Sequence, residues 1–202
     1  MIFTLNKHLC FSHGLKKDRF YQINYIKEII QMTVIKQFFL ILLLTGCAIK
    51  SMQIKTVGEV DINRFMGDWY VLAHIPSYVE KNAFNAIESY KLNEDGSIAT
   101  TFTFNEGSIN GPVKTYHPKG FVIPGTNNAE WGMQFIWPIK AQYKIVYLDK
   151  DYNITIVARD KLDYVWLMAR TKTLPHDQMI KFRDMIEDMG YSLDNYREIE
   201  QE

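Results

Sequence analysis

Between Trp69 and Arg170 the chain is a succession of short runs in which apolar and polar residues alternate. Ile98, Thr100, Phe102 and Phe104 share one parity, and Trp131, Met133 and Phe135 share another. A period of two means a strand with one dry and one wet face. Strands are expected at 69–76, 86–93, 97–104, 113–123, 129–137, 142–149, 153–160 and 164–171. Turn chemistry separates most of them: "NEDG" at 93–96, "NEGSINGP" at 105–112, "PGTNN" at 124–128 and "DKDYN" at 149–153. The period then changes. In "LPHDQMIKFRDMIEDMGY", Met179, Phe182, Met185, Ile186 and Met189 recur at helical spacing, with Pro175 near the start and Gly190 as the stop. About eight antiparallel strands and one late helix fit an all-β, up-and-down barrel better than a two-sheet sandwich. Closure removes the exposed edges, and a barrel of that size can hold one small ligand.

Upstream the pattern is of another kind. "FFLILLL" at 38–44 follows Lys36 and precedes Thr45, Gly46 and Cys47, which gives a positive flank, a short apolar core and small residues before a cysteine. The run is well short of the roughly 20 apolar residues of a membrane span, so it reads as the core of a signal peptide. Residues 1–31 show neither a core pattern nor a clean apolar segment, and Met32 offers a second start, from which "MTVIKQFFLILLLTGC" is a compact signal. The expected organisation is a signal peptide over 1–46, a modified N-terminus and polar tether over 47–60, and a barrel with its helix and tail over 61–202. Without Cys10, Cys47 is the sole mature cysteine, so no intramolecular disulfide forms and packing alone must stabilise the domain.

Composition supports a packed core, with a hydrophobic fraction of 47% and an aromatic fraction of 14%. Lys+Arg and Asp+Glu balance at 23 each, but six of the basic and two of the acidic residues precede Ala48. The remainder carries a net charge of about −4, which gives no field for nucleic acid. Catalytic constellations are missing from the sequence. His8 and His13 precede the signal core, and His74, His117 and His176 are scattered, with no metal-ligand spacing, no Gly-x-Ser-x-Gly elbow and no phosphate loop. No enzyme, metal or cofactor is expected.

"LTGC" resembles the lipobox of bacterial lipoproteins, which implies that Cys47 is lipidated, and multiple acyl chains give stable anchoring. "VDINRFMGDWYVLAHIP", with Gly67 and Trp69, resembles the first signature of the lipocalins. "YKIVYLDKDYNITIV", with Asp149 and Tyr152, resembles their second, and "DYVWLMART", with Arg170, their third. The likeness runs from about Val60 to Ile199 and is nearest to the bacterial outer-membrane lipocalins and their apolipoprotein D-like relatives. It implies an eight-stranded lipocalin barrel with a C-terminal helix. Implied partners are fatty acids, lysophospholipids or similar amphiphiles, stored or carried at the envelope. It also implies a lipid anchor in the outer membrane facing the periplasm, and leaves a homodimer open. The alternative is an interaction or structural lipoprotein whose barrel is filled by its own side chains. The chain departs from the family at His74 and in "WPIKAQY".

In the family the signature Trp and Arg meet at the closed end of the barrel, so Trp69 and Arg170 are expected to form a plug. Parity and the family pattern turn Tyr90, Phe102, Met133, Phe135, Tyr143, Trp166 and Met168 inward as ligand contacts. Lys140 is expected near the mouth, where it could attract an anionic head group. Parity also puts Trp69, Val71, Ala73 and Ile75 on one face of the first strand. Glu88 shares the parity of Tyr90, but a buried carboxylate is costly, and a local bulge turning it outward is the favoured expectation.

Overall fold

A computed structural model describes residues 31, 32, 36, 53–77 and 80–202. The unit from Ser51 to Glu202 is described below; the signal segment and Cys47 lie outside the described residues. A short helix α1 (Ile62–Phe65) precedes strands β1 (Gly67–Ile75), β2 (Ala83–Leu92), β3 (Ile98–Glu106), β4 (Val113–Tyr116), β5 (Lys119–Val122), β6 (Glu130–Ile136), β7 (Ile139–Leu148), β8 (Ile154–Ala158) and β9 (Val165–Ala169). Helix α2 (His176–Asp188) and a two-residue strand β10 (Arg197–Glu198) follow. The strands pair antiparallel in the order β1-β2-β3-β5-β6-β7-β8-β9, with β4 also on β3 and β10 on β1, and β9 returns to β1, with Tyr70 opposite Ala169 and Ile75 opposite Val165. The result is a closed eight-stranded barrel in which β4 and β5 together occupy one position. The run expected at 113–123 breaks at Pro118, which has no N–H to give a ladder.

Two cores result. Inside the barrel Trp69, Tyr90, Phe102, Phe104, Trp131, Tyr143, Trp166 and Met168 are buried together. Outside it, Met179, Phe182 and Ile186 of α2 cover Leu72, Ala73, Ile75, Ile156 and Leu167. That second core overturns the uniform parity expected along the first strand. A bulge between Val71 and Ala73 shifts the register, so Ala73 and Ile75 leave the interior and pack beneath the helix. His74 then takes the position opposite Trp166.

The chain before the barrel runs along its outside. Ile54 N–H donates to Asp160 Oδ1 (2.8 Å) in the β8–β9 loop, Val57 N–H to the Ile145 carbonyl (3.0 Å), and Val60 N–H to the Asn127 carbonyl (3.0 Å) in the β5–β6 loop. The segment therefore enters at one end and reaches α1 at the other. Asp160 is also held by Lys144 (2.9 Å) and Gln142 (2.8 Å), a mostly buried ion pair that pins this loop.

Candidate functional site

One end of the barrel is sealed. Asp61 caps α1 by accepting from the N–H groups of Asn63 and Arg64, and the helix lays Phe65 across the barrel floor. Gly67 follows at φ +92°, in the left-handed region, where it starts β1 with no Cβ beside Arg170. The Arg170 guanidinium carbon lies 3.8 Å from the Trp69 ring centre. Its donors reach the carbonyls of Asp68 (2.6 Å), Met66 (2.8 Å), Phe65 (3.0 Å) and Arg64 (3.1 Å). Those of Arg64, Phe65 and Met66 lie in or just after a four-residue helix, which leaves its last carbonyls unpaired. Trp69 Nε1–H donates to the Phe65 carbonyl (2.8 Å), and Tyr152 Oη accepts the Asp61 N–H (2.8 Å). Asp149 Oδ1 accepts the N–H groups of Asn153 and Ile154 (2.6 Å each), which shapes the turn carrying Tyr152. All five signature positions thus meet around α1 or the turn that buttresses it.

Above this floor sits a layer of rings. Trp131 stacks on Tyr143 with centres 4.9 Å apart, Tyr90 meets Trp131 edge-on at 5.5 Å, and the Tyr90 and Tyr143 hydroxyls lie 2.6 Å apart. The closed half is therefore full. In the open half a cavity of about 80 Å³ remains. Phe102, Tyr116, Met133, Phe135 and Ala141 give it apolar walls, Tyr143 and Trp166 line it with mixed character, and Ser77, Glu80, Glu88, Gln142, Arg159 and Tyr164 add polar groups.

Of the sequence-derived contacts, Phe102, Met133, Phe135, Tyr143 and Trp166 line this cavity. Tyr90 and Met168 point inward but belong to the packed interior and do not line it. Lys140 is placed differently from the expectation. It lies across Gly132 with its ammonium 3.7 Å from the Phe121 ring centre, outside the cavity, because β7 alternation gives the inward place to Ala141.

Glu88 also corrects the reading. A bulge does occur in β2, at Asn85 with φ +47°, but it falls before Glu88 and leaves it in phase with Tyr90. Glu88 is 1% exposed, and its Oε2 has no hydrogen-bond partner among the described residues. Burial, reinforced by Glu80, raises its carboxyl well above the ordinary range. Glu80, 2% exposed, accepts the Ser77 N–H through Oε1 (2.8 Å), and burial pushes it up to about 7. The Trp166 indole N–H favours the ionised form of Glu80 without completing a well-formed hydrogen bond. Glu80 escaped the sequence reading because it sits in a loop without periodicity. Arg197 holds that loop by donating to the carbonyls of Lys81 (2.9 Å) and Ala83 (2.6 Å). Among the described residues no His or Cys lines the cavity, and no group of three metal-ligating side chains forms.

A closed antiparallel barrel with a sealed floor and a largely apolar pocket under its mouth defines a ligand-binding barrel of the lipocalin kind. The family model described as "Lipocalin-like domain" matches residues 60–201, and the chain belongs to that family. It is 25% identical to the outer membrane lipoprotein Blc of Vibrio cholerae, over 83% of this chain and 99% of that protein. It is likewise 25% identical to apolipoprotein D of Bos taurus, over 62% of this chain and 69% of that one. Among solved structures it resembles insecticyanin from the tobacco hornworm Manduca sexta, with a TM-score of 0.58 at 14% identity, covering 74% of this chain and 85% of that one. At that identity the likeness speaks for the fold.

Proposed function

We propose that the protein is a membrane-anchored lipocalin that takes up one small amphiphile, of the class that includes fatty acids and lysophospholipids, and stores or carries it at the envelope. The cavity in the open half carries this reading, because most of its wall area is apolar and its polar groups are few and placed. Binding would move apolar surface from water or bilayer into that space, at about 0.8 kcal/mol per buried methylene. No step requires covalent chemistry.

Two features support work at a bilayer. The β6–β7 hairpin, at the same end as the cavity mouth, exposes Phe135, Ile136, Trp137 and Ile139, with Trp137 82% exposed. At that end too the Ile54 N–H is docked on the Asp160 carboxylate of the β8–β9 loop. A lipidated Cys47, seven residues before Ile54 in the sequence, would tether the domain to the membrane. Likeness to an outer membrane lipoprotein, Blc of Vibrio cholerae, supports an outer-membrane anchor, and its periplasmic side is part of this proposal. In vesicles of phosphatidylethanolamine and phosphatidylglycerol carrying brominated acyl chains, Trp137 emission should be quenched. Trp137→Phe should remove most of the quenching, whereas equal quenching in both proteins contradicts this orientation.

The second reading, an interaction lipoprotein with a self-filled barrel, draws on the ring layer that occupies the closed half. Trp166→Ala separates the two. Trp166 packs on Phe102 at 4.9 Å and lines the cavity, so as a carrier the protein should lose roughly tenfold or more in lysophospholipid affinity as well as stability. A stability loss with unchanged affinity in a fluorescence titration supports the self-filled barrel.

A further inference from the structure

Glu80 and Glu88 line one small cavity whose remaining surface is largely apolar, and they arrive from different elements, the β1–β2 loop and the wall of β2. Glu88 Oε2 has no hydrogen-bond partner among the described residues, and Glu80 Oε1 accepts the Ser77 N–H (2.8 Å). Arg159 is the one cationic side chain on the cavity wall, and its Nε lies 3.5 Å from Asp163 Oδ1 in an ion pair outside the carboxyl pair. Burying two carboxyls together without a counter-charge is unfavourable, and apolar residues would fill the same space better. We infer that the Glu80–Glu88 pair is a recognition site for the protonated amine of a ligand, whose apolar part occupies the cavity between Phe102, Met133 and Trp166. This rests on the carrier reading and narrows it, from amphiphiles in general to those with a cationic nitrogen.

A carboxylate ligand would meet acceptors and like charge here. An alcohol would satisfy one oxygen and leave the second carboxyl without a counter-charge. An ammonium offers three donors and a charge to both. Burial and the neighbouring Glu80 raise the Glu88 carboxyl well above the ordinary range, and burial pushes Glu80 up to about 7. When the ammonium enters, the carboxyl proton passes to buffer and a carboxylate–ammonium pair remains. The other titratable groups around the pair are Tyr90, Tyr143 and Tyr164, whose hydroxyls burial holds protonated, together with Arg159 and the neutral His74 on the Trp166 side. None of these competes with the two carboxyls for the released proton.

The test is calorimetric titration of the full-length protein with octylammonium, 1-octanol and octanoate at pH 7, in phosphate and again in Tris. Octylammonium should bind at least tenfold more tightly than either analogue. Its heat should differ between the buffers by an amount that reports proton release. Glu88→Gln preserves shape and should erase both the preference and the proton release while still binding 1-octanol. Equal or tighter binding of octanoate or 1-octanol overturns the amine site and leaves the carrier reading standing. Absence of binding by all three overturns both. Retention of the amine preference in the Glu80→Gln and Glu88→Gln variants also overturns the assignment.

Discussion

Replacing Arg170 with alanine is expected to lower the thermal midpoint by roughly 10 °C, at a cost of about 3–5 kcal/mol. The guanidinium ties four carbonyls, those of Arg64, Phe65, Met66 and Asp68, and covers the Trp69 indole. No other side chain among the described residues is hydrogen-bonded to the carbonyls of Arg64, Met66 or Asp68. Hydrogen bonds from a charged donor are worth about 1.5–3 kcal/mol each, and the stacked ring adds roughly 0.5–2 kcal/mol. The contributions are shared rather than additive, because one group makes them all. Arg170→Lys should recover little, since a single ammonium cannot span the fork of carbonyls. Differential scanning calorimetry of the three proteins measures this. An alanine variant within 2–3 °C of the parent, a shift worth about 1 kcal/mol, would mean that α1 closes the barrel unaided.

The empty protein is expected to be most stable near pH 5 and to lose a few kcal/mol by pH 8. Glu80 has its carboxyl raised from 4.5 to about 7. The folded state therefore holds a proton that the unfolded chain releases, so this contribution is complete below pH 4.5 and is lost as pH rises to about 7. Its size is about 3 kcal/mol as an upper figure. Glu88 acts in the same direction. His74 opposes them: buried with neither ring nitrogen hydrogen-bonded, it is lowered from 6.5 to about 3, so its contribution is present above pH 6.5 and is lost on acidification. Two carboxyls outweigh one imidazole between pH 4.5 and 6.5, and above that range His74 is silent. Urea midpoints across pH 4–8 should fall on the alkaline side, and a Glu80→Gln/Glu88→Gln double variant should be flat there. A wild-type midpoint that rises from pH 5 to pH 8 contradicts the buried pair.

What the sequence made legible followed physical regularity. Alternation placed eight strand positions, helical spacing placed α2, and three ordered signatures put Trp69 and Arg170 together. Where regularity failed, so did the reading. One bulge near Leu72 moved Ala73 and Ile75 to the outer core, and another at Asn85 fell one turn too early to expel Glu88. Pro118 split a strand, and the pairing of β10 with β1, with Ala73 opposite Glu198, depended on a contact across 125 residues of chain. Glu80, Arg159 and Gln142 line the cavity from loops or from an outward parity, where neither period speaks. Lys140 was misplaced for the opposite reason, since a loop position was read without its strand register.

The most direct measurement is native mass spectrometry of the protein isolated from the cells that make it, followed by denaturation and identification of what is released. A carrier should show one small amphiphile bound per barrel, lost on denaturation and reduced in Trp166→Ala. An unliganded mass, together with no change in tryptophan emission when lysophospholipid is titrated in, would contradict the proposal that this barrel holds a ligand.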